Sequence, residues 1–213
     1  LALPLHAAEL KVKFDKREPG DMLPSINASC AVDRQGKSEP GENYSPALSW
    51  SKGPAGTRSY ALTMVDPTVP VDRSGFNKKG VTIAWDAKRA DFTHWVLADI
   101  PAALTYLPQG TDGNGVVKGG LPLRHTNHGR RGQNGFGDGT LKDGPHGGYF
   151  GACPPWNDDR IHQYQVTVYA LDVERLNLPE LFTREDLLAA MKDHILASGT
   201  AELRYTLNPR ARP

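Results

Sequence analysis

The sequence predicts a mostly β domain, a sandwich by class, with one late helix. Three observations carry this. Short apolar runs rich in Val, Tyr and Trp recur along the chain. Long polar loops separate them, fed by 22 glycines and 17 prolines. Only one segment has helical spacing of its apolar residues. The 213 residues are enough for one domain with a sizeable core.

The elements follow in order. Leu10, Val12 and Phe14 alternate with Lys11 and Lys13, a first half-buried strand. Residues 15–46, dense in Gly, Pro, Asn, Ser and Asp, read as mostly loop. Tyr60 to Asp66 is an apolar run expected to stop at Pro67. His94 to Ile100 is a second buried strand, ended by Pro101, and Tyr164 to Leu171 is a third. Thr183 with Asp186 has capping-box spacing; Leu187, Leu188, Met191, Ile195 and Leu196 then fit a helix that Gly199 would end. Ala201, Leu203, Tyr205 and Leu207 alternate as a last strand. The stretch 110–151, rich in glycine, reads as a long unstructured loop, and His128-Gly129-Arg130-Arg131-Gly132 within it as a solvated run.

Composition excludes several functions. Lys+Arg 25 against Asp+Glu 24 leaves a net charge of +1, which disfavours nucleic-acid binding by bulk charge. No run reaches the roughly 18 apolar residues that a membrane-spanning helix needs. The chain opens Leu1-Ala2-Leu3-Pro4-Leu5-His6-Ala7-Ala8, an apolar stretch running into small residues like the end of a signal peptide. Residues 1–8 are therefore read as a signal-peptide remnant or disordered N-terminus, 9–213 as a single domain, and the protein as periplasmic or secreted. In that setting Cys30 and Cys153 are either a disulfide or two separate thiols; spacing does not decide between them.

Three groups of polar residues sit at strand ends, where loops converge. They are Asp66-Pro67-Thr68-Val69-Pro70, Thr93-His94-Trp95, and Gly151-Ala152-Cys153-Pro154-Pro155 followed by His162-Gln163-Tyr164. A carboxylate, two imidazoles and a phenol could together hold a small anion or zwitterion, Asp66 orienting an imidazole or accepting from an amine. Each residue alone also reads as an ordinary turn or structural group. A zinc site from His125, His128 and His146 is a rival, without strong ligand spacing. A hydrolase lacks a Gly-x-Ser-x-Gly elbow, and no cofactor motif occurs, so no catalysis, cofactor or metal is expected.

These groups also carry a resemblance. Ser45-Pro46-Ala47-Leu48-Ser49-Trp50, Asp66-Pro67-Thr68-Val69-Pro70, His94-Trp95-Val96 with Ile100-Pro101, Gly151-Ala152-Cys153-Pro154-Pro155 and His162-Gln163-Tyr164 resemble, in order, motifs of the phosphatidylethanolamine-binding protein family, in its bacterial kinase-inhibitor-like branch. The match runs from about residue 10 to about residue 207. It implies a sandwich of two antiparallel β-sheets with a C-terminal helix, and a pocket for phosphate-bearing head groups formed by Asp66, His94, Pro155, His162 and Tyr164. It implies that His94 and His162 face the anion, that Tyr164 donates to it, and that the protein modulates a partner protein. Imidazolium donors would make affinity rise as pH falls through about 6.5. Thr68 stands where the family usually has a second Asp, Gln163 where it has Arg, Ala152 where it has Pro or Gly, and the segment 124–150 is longer. The alternative is an inhibitory module for a kinase or protease that acts through the 110–150 loop, with a vestigial pocket.

Overall fold

The computed structural model describes residues 8–35, 37–138, 141 and 144–213. The strands are β1 (Ala8–Glu9), β2 (Val12–Phe14), β3 (Cys30–Val32), β4 (Ser38–Pro40), β5 (Leu48–Trp50), β6 (Ser59–Pro70), β7 (Arg89–Pro101), β8 (Tyr106–Leu107), β9 (His125–Thr126), β10 (Gly129–Arg131), β11 (His162–Leu171) and β12 (Ile195–Tyr205). Helix α1 (Arg184–Met191) precedes the last strand, and short 3-10 turns occupy Ser25–Asn27 and Gly135–Asp138.

One sheet has seven strands in the order β1-β12-β11-β6-β7-β10-β9, antiparallel except at its edge, where β1 runs parallel to β12. A three-stranded antiparallel sheet, β2-β5-β8, faces it, and β3 and β4 form a hairpin. The period-2 geometry of a strand puts alternate residues on opposite faces. Tyr60, Leu62 and Met64 of β6, Trp95 and Leu97 of β7, and Val166 and Val168 of β11 point inward. There they pack with Phe14, Leu48, Trp50 and Leu107 beneath the small sheet. Ala61, Val96 and Ala98 point outward and are covered by Phe182, Leu187 and Met191, from α1 and the turn before it. The fold is thus a sandwich with a helix on the outer face of its larger sheet.

Several expectations need correction. Strand β6 does not stop at Pro67 but runs on to Pro70. Its register with β7 slips between Asp66 and Val69, which leaves Pro67, with no N–H to give, outside the ladder. The helix ends at Met191. Ile195, Leu196 and Gly199 belong to β12, which pairs ten of its eleven residues with β11 where a helix would satisfy only itself. Gly199 is needed there because the Leu10 carbonyl lies where its Cβ would be. The capping box stands: the Thr183 hydroxyl accepts from the Asp186 N–H while the Asp186 carboxylate accepts from the Thr183 N–H.

The stretch 110–151 is not an unstructured loop. Strand β10 pairs with β7, so Gly129-Arg130-Arg131 is a sheet strand and not a solvated run. Arg131 is buried on Asp112, its Nε donating to Oδ1 at 2.6 Å. Asp112 also takes the Trp95 indole N–H at 2.6 Å and His128 Nε2 at 2.7 Å. Cys30 and Cys153 form a disulfide, tying β3 to the segment after Gly151. Residues 1–7 of the proposed leader lie outside the described residues, and Ala8 already pairs with Ala197.

Candidate functional site

Strand parity positions three of the polar residues. Asp66 continues the inward series Tyr60, Leu62, Met64, and His162 and Tyr164 continue that of Val166 and Val168. His94 has the wrong parity, being next to inward Trp95. A β-bulge solves this: Met64 pairs with Trp95 and Val65 with Thr93, so His94 is the extra residue in the ladder. Bulges bend the strand and re-aim a side chain. Here the bulge brings His94 to the same cavity as Asp66.

That cavity, about 160 Å³, lies at the inner face of the large sheet and is lined by all five expected residues: Asp66, His94, Pro155, His162 and Tyr164. Pro154 and disulfide-bonded Cys153 complete one wall. Val69, named in the sequence only as part of the Asp66–Pro70 motif, lines the rest with Arg73, Phe76, Phe92 and Phe136, which the sequence did not flag. Phe92 stands edge-on to His94 at 5.2 Å and to Phe136 at 4.9 Å; His94 stands edge-on to Tyr164 at 5.2 Å. The exposed Arg73 places its guanidinium 5.3 Å from the Phe92 ring centre. Periodicity gave no signal for Phe136 and Arg73, because both come from non-strand segments.

Behind the cavity runs a chain of buried charges. His162 Nδ1 donates to Asp66 Oδ2 at 2.6 Å, and Nε2 donates to Asp158 Oδ2 at 3.0 Å. Arg89 grips Asp158 with both terminal nitrogens, at 2.6 and 3.0 Å. Thr68 donates its backbone N–H, at 2.8 Å, and its hydroxyl to Asp66 Oδ1. Its hydroxyl oxygen accepts from the Gln163 N–H at 3.2 Å. His94 Nδ1 lies 2.7 Å from the Phe150 carbonyl oxygen, which can only accept, so Nδ1 carries the proton and Nε2 a lone pair.

The protonation states follow. Burial alone would lower the His162 pKa, but its hydrogen bonds to Asp158 and Asp66 and their charges outweigh burial and raise it to about 9. Burial opposes ionisation of Asp66 and Asp158, yet the His162 hydrogen bond, with Arg89 at Asp158, holds both below the usual carboxylate value. His94 is lowered, chiefly by burial, against the pull of Asp66. The Tyr164 phenol is pushed well up, first by burial, then by the Asp66 charge, with a hydrogen bond to Asp66 adding to it.

This corrects the expected roles of the histidines. His162 is an imidazolium, but both its N–H groups are spent on carboxylates. His94 is a neutral ring whose one N–H goes to a backbone carbonyl. Neither has an N–H left for an anion. The rival zinc ligands are also dispersed in role: His125 is exposed on β9, His128 holds Asp112, and His146 is buried against Phe136 and Phe150. Among the described residues no group of three or more His, Cys, Asp or Glu side chains could hold a metal ion.

A family model described as phosphatidylethanolamine-binding protein matches residues 14–206. The chain belongs to the phosphatidylethanolamine-binding protein family. It is 35% identical to the UPF0098 protein YbcL of Escherichia coli over 174 residues, 80% of this chain and 73% of YbcL. It is 33% identical to YbhB of the same organism over 173 residues, 80% of this chain and 84% of YbhB. The solved structure of E. coli YbcL superposes with a TM-score of 0.66 at 26% identity, covering 93% of this chain and 99% of that one. A homologue from Chlamydia trachomatis, CT736, gives a TM-score of 0.61 at 26% identity, covering 92% and 97%.

Within this family member the departures from motif acquire physical roles. Thr68 replaces a charge by two hydrogen bonds to Asp66, so the pocket keeps one lining carboxylate, ionised and held rigid. Gln163 acts through its backbone N–H, which fixes the Thr68 hydroxyl. The long segment before Gly151 supplies Phe136 to the wall.

Proposed function

We propose that this protein is a binding protein, not an enzyme, whose pocket takes a small phosphate-bearing head group, and that occupancy modulates a partner protein. The observation that carries the reading is the convergence of Asp66, His94, Pro155, His162 and Tyr164 on one aromatic-walled cavity with a cation, Arg73, among its lining residues. Binding is favoured over catalysis by the state of the reactive groups. Cys153 is in a disulfide, the Thr68 hydroxyl is held by Asp66, and the imidazolium of His162 is locked between two carboxylates. A nucleophile beside a free base is what covalent catalysis needs. The loop-mediated inhibitor reading is less supported, because 110–150 commits Asp112, Arg131, Asn134 and His146 to the interior.

Calorimetric titration with phosphoethanolamine and glycerophosphoethanolamine tests this. Saturable one-to-one binding is expected, and Val69→Phe, which puts a ring into the cavity, should weaken it at least about tenfold, a loss of roughly 1.4 kcal/mol. Affinity for the diester should be flat between pH 6.5 and pH 8, since His162 stays charged and His94 neutral across that range. No binding to the unaltered protein would end the proposal.

We further propose a periplasmic or secreted location, supported by the Cys30–Cys153 disulfide, which persists in oxidising compartments. Thiol labelling of the protein from fractionated cells should find no free cysteine and place the protein outside the cytoplasm; a cytoplasmic pool with two free thiols would refute it.

A further inference from the structure

One wall of the cavity is held by a covalent bond where backbone hydrogen bonds fail. From Cys153 to Pro155 the chain donates no backbone hydrogen bond. Pro154 and Pro155 have no N–H, and the N–H of Cys153 has no partner among the described residues. The flanking anchors stop short of this run. On one side the Ala152 carbonyl accepts from the N–H groups of Ser29, at 2.9 Å, and Cys30, at 3.2 Å. On the other the Trp156 N–H donates to Asn77 Oδ1 at 3.0 Å. Among the described residues, the Cys30–Cys153 disulfide is the bond that ties the run between them to another segment. Cys153, Pro154 and Pro155 all line the cavity.

The other end of the disulfide is also lightly held. Cys30 opens β3, which pairs with β4 in a two-stranded sheet apart from both larger ones. Among the described residues from 31 to 41 none is buried. The Tyr205 hydroxyl donates to the Cys30 carbonyl at 3.0 Å. The two cysteines are 123 positions apart, so chain connectivity does not keep them together once the bond is broken. Segments with few buried apolar contacts and exposed backbone open locally at low cost. Cys153 is exposed and Cys30 half-buried, so a thiolate can reach the bond from the Cys153 side. Exposed disulfides are the labile and regulatory ones, in contrast to those sealed in a core.

We propose that Cys30–Cys153 is a redox-operated clasp: a dithiol opens it, and the Cys153–Pro155 wall of the cavity loosens. One thiolate of the dithiol attacks Cys153 Sγ, the S–S bond breaks, and Cys30 leaves as a thiolate that takes up a proton. The second thiol of the reagent, deprotonated, attacks the mixed disulfide at the reagent's own sulfur, and Cys153 leaves and is protonated in turn. The dithiol is oxidised by two electrons to a disulfide, and the protein gains two thiols. In an oxidising compartment the closed form is the resting state. A loosened wall leaves the cavity less preorganised, so the open form binds more weakly. The clasp does not rest on the head-group reading; only the probe chosen for its effect on binding does.

Hydrogen exchange and calorimetry on the full chain, with and without dithiothreitol, test this. Reduction should go to completion without denaturant, at a rate first-order in dithiothreitol. The amides of Cys30 and Trp156, one on each side of the bond, should exchange at least about tenfold faster in the reduced protein. Their acceleration should exceed that of the Val166 and Val168 amides at the centre of β11. The double variant Cys30→Ser with Cys153→Ser should match the reduced protein and be indifferent to dithiothreitol. Phosphoethanolamine, as the probe, should bind the reduced protein at least about fivefold more weakly than the oxidised one. The proposal is overturned if the disulfide yields to dithiothreitol only in urea, or if exchange at Cys30 and Trp156 is unchanged. Equal acceleration of all these amides also overturns it, since that is the general destabilisation expected from losing a crosslink. So does equally tight binding of the probe before and after reduction. If phosphoethanolamine fails to bind even the oxidised protein, the head-group reading falls, and the exchange rates alone decide the clasp.

Discussion

At the scale of single residues, His162 decides most. It is one cation buried between two carboxylates, so its removal differs from the loss of an ordinary pocket donor. By the motif alone, His162→Ala is a clean binding variant; the geometry makes it a folding variant. His162→Asn should leave Asp66 without its cation and Asp158 with Arg89 only, a cost on the order of 3 kcal/mol. Thr68→Val removes one hydroxyl from the same carboxylate and should cost about 1 kcal/mol. Urea denaturation of the two variants checks the order; a loss for His162→Asn no greater than that for Thr68→Val would show the charge chain to be unimportant for stability. Asp66 and its neighbours were legible as a group of polar residues at strand ends. Their hydrogen bonds were not, because a spacing in sequence does not say which lone pair meets which N–H.

At the scale of elements, the site exists because two strands are irregular. A regular β7 would turn His94 toward α1, on the side of Val96 and Ala98. The extra residue in β7, and the slip in β6 that sets Pro67 and Thr68 outside the ladder, fall on either side of the Asp66 pairing with Phe92. The β6–β7 ladder also shifts register between Tyr60 and Leu62, away from the pocket, whereas the β6–β11 ladder runs unbroken from Ser59 to Val65. The alternation of Tyr60, Leu62 and Met64 was visible in the sequence; a bulge is a property of two paired strands, and no single strand displays it. The same reason explains α1. Ile195 and Leu196 fit both a helical stripe and a strand, and the open edge of β11 resolved the choice.

At the scale of the whole molecule, the buried charges set how stability varies with pH. His162 has a folded pKa of about 9, above its unfolded value of 6.5, so its contribution is complete below pH 6.5 and is lost as pH rises through 9. Each pH unit between those two values is worth roughly 1.4 kcal/mol, so the contribution is about 3 kcal/mol. His94 has the opposite sign: its folded pKa is lowered, the unfolded chain takes the proton first, and stability falls as pH drops below 6.5. Asp66 and Asp158, also lowered, add a further loss as pH falls below 3.8. Unfolding midpoints in urea should therefore peak near pH 6.5 and decline on both sides, and His162→Asn should abolish the alkaline limb. A wild-type midpoint unchanged from pH 6.5 to pH 9.5 would contradict the buried imidazolium.

The sequence by itself determined the class of fold and the family, because these depend on local alternation, on capping and turn residues, and on the order of short motifs; the resemblance also named five of the residues that line the cavity. It left the pairing of Cys30 with Cys153 open, and it misjudged 110–151, whose low hydrophobicity hid a strand that buries Arg131 against a charge 19 residues away. Tertiary structure alone decided which way each polar group is used. It committed the N–H groups of His94 and His162 to neighbours, and it brought Phe136 and Arg73 to the cavity from loops. The physical reason is that hydrogen bonds and ion pairs are set by distances of a few ångströms between residues far apart in the chain, and no one-dimensional pattern carries those distances.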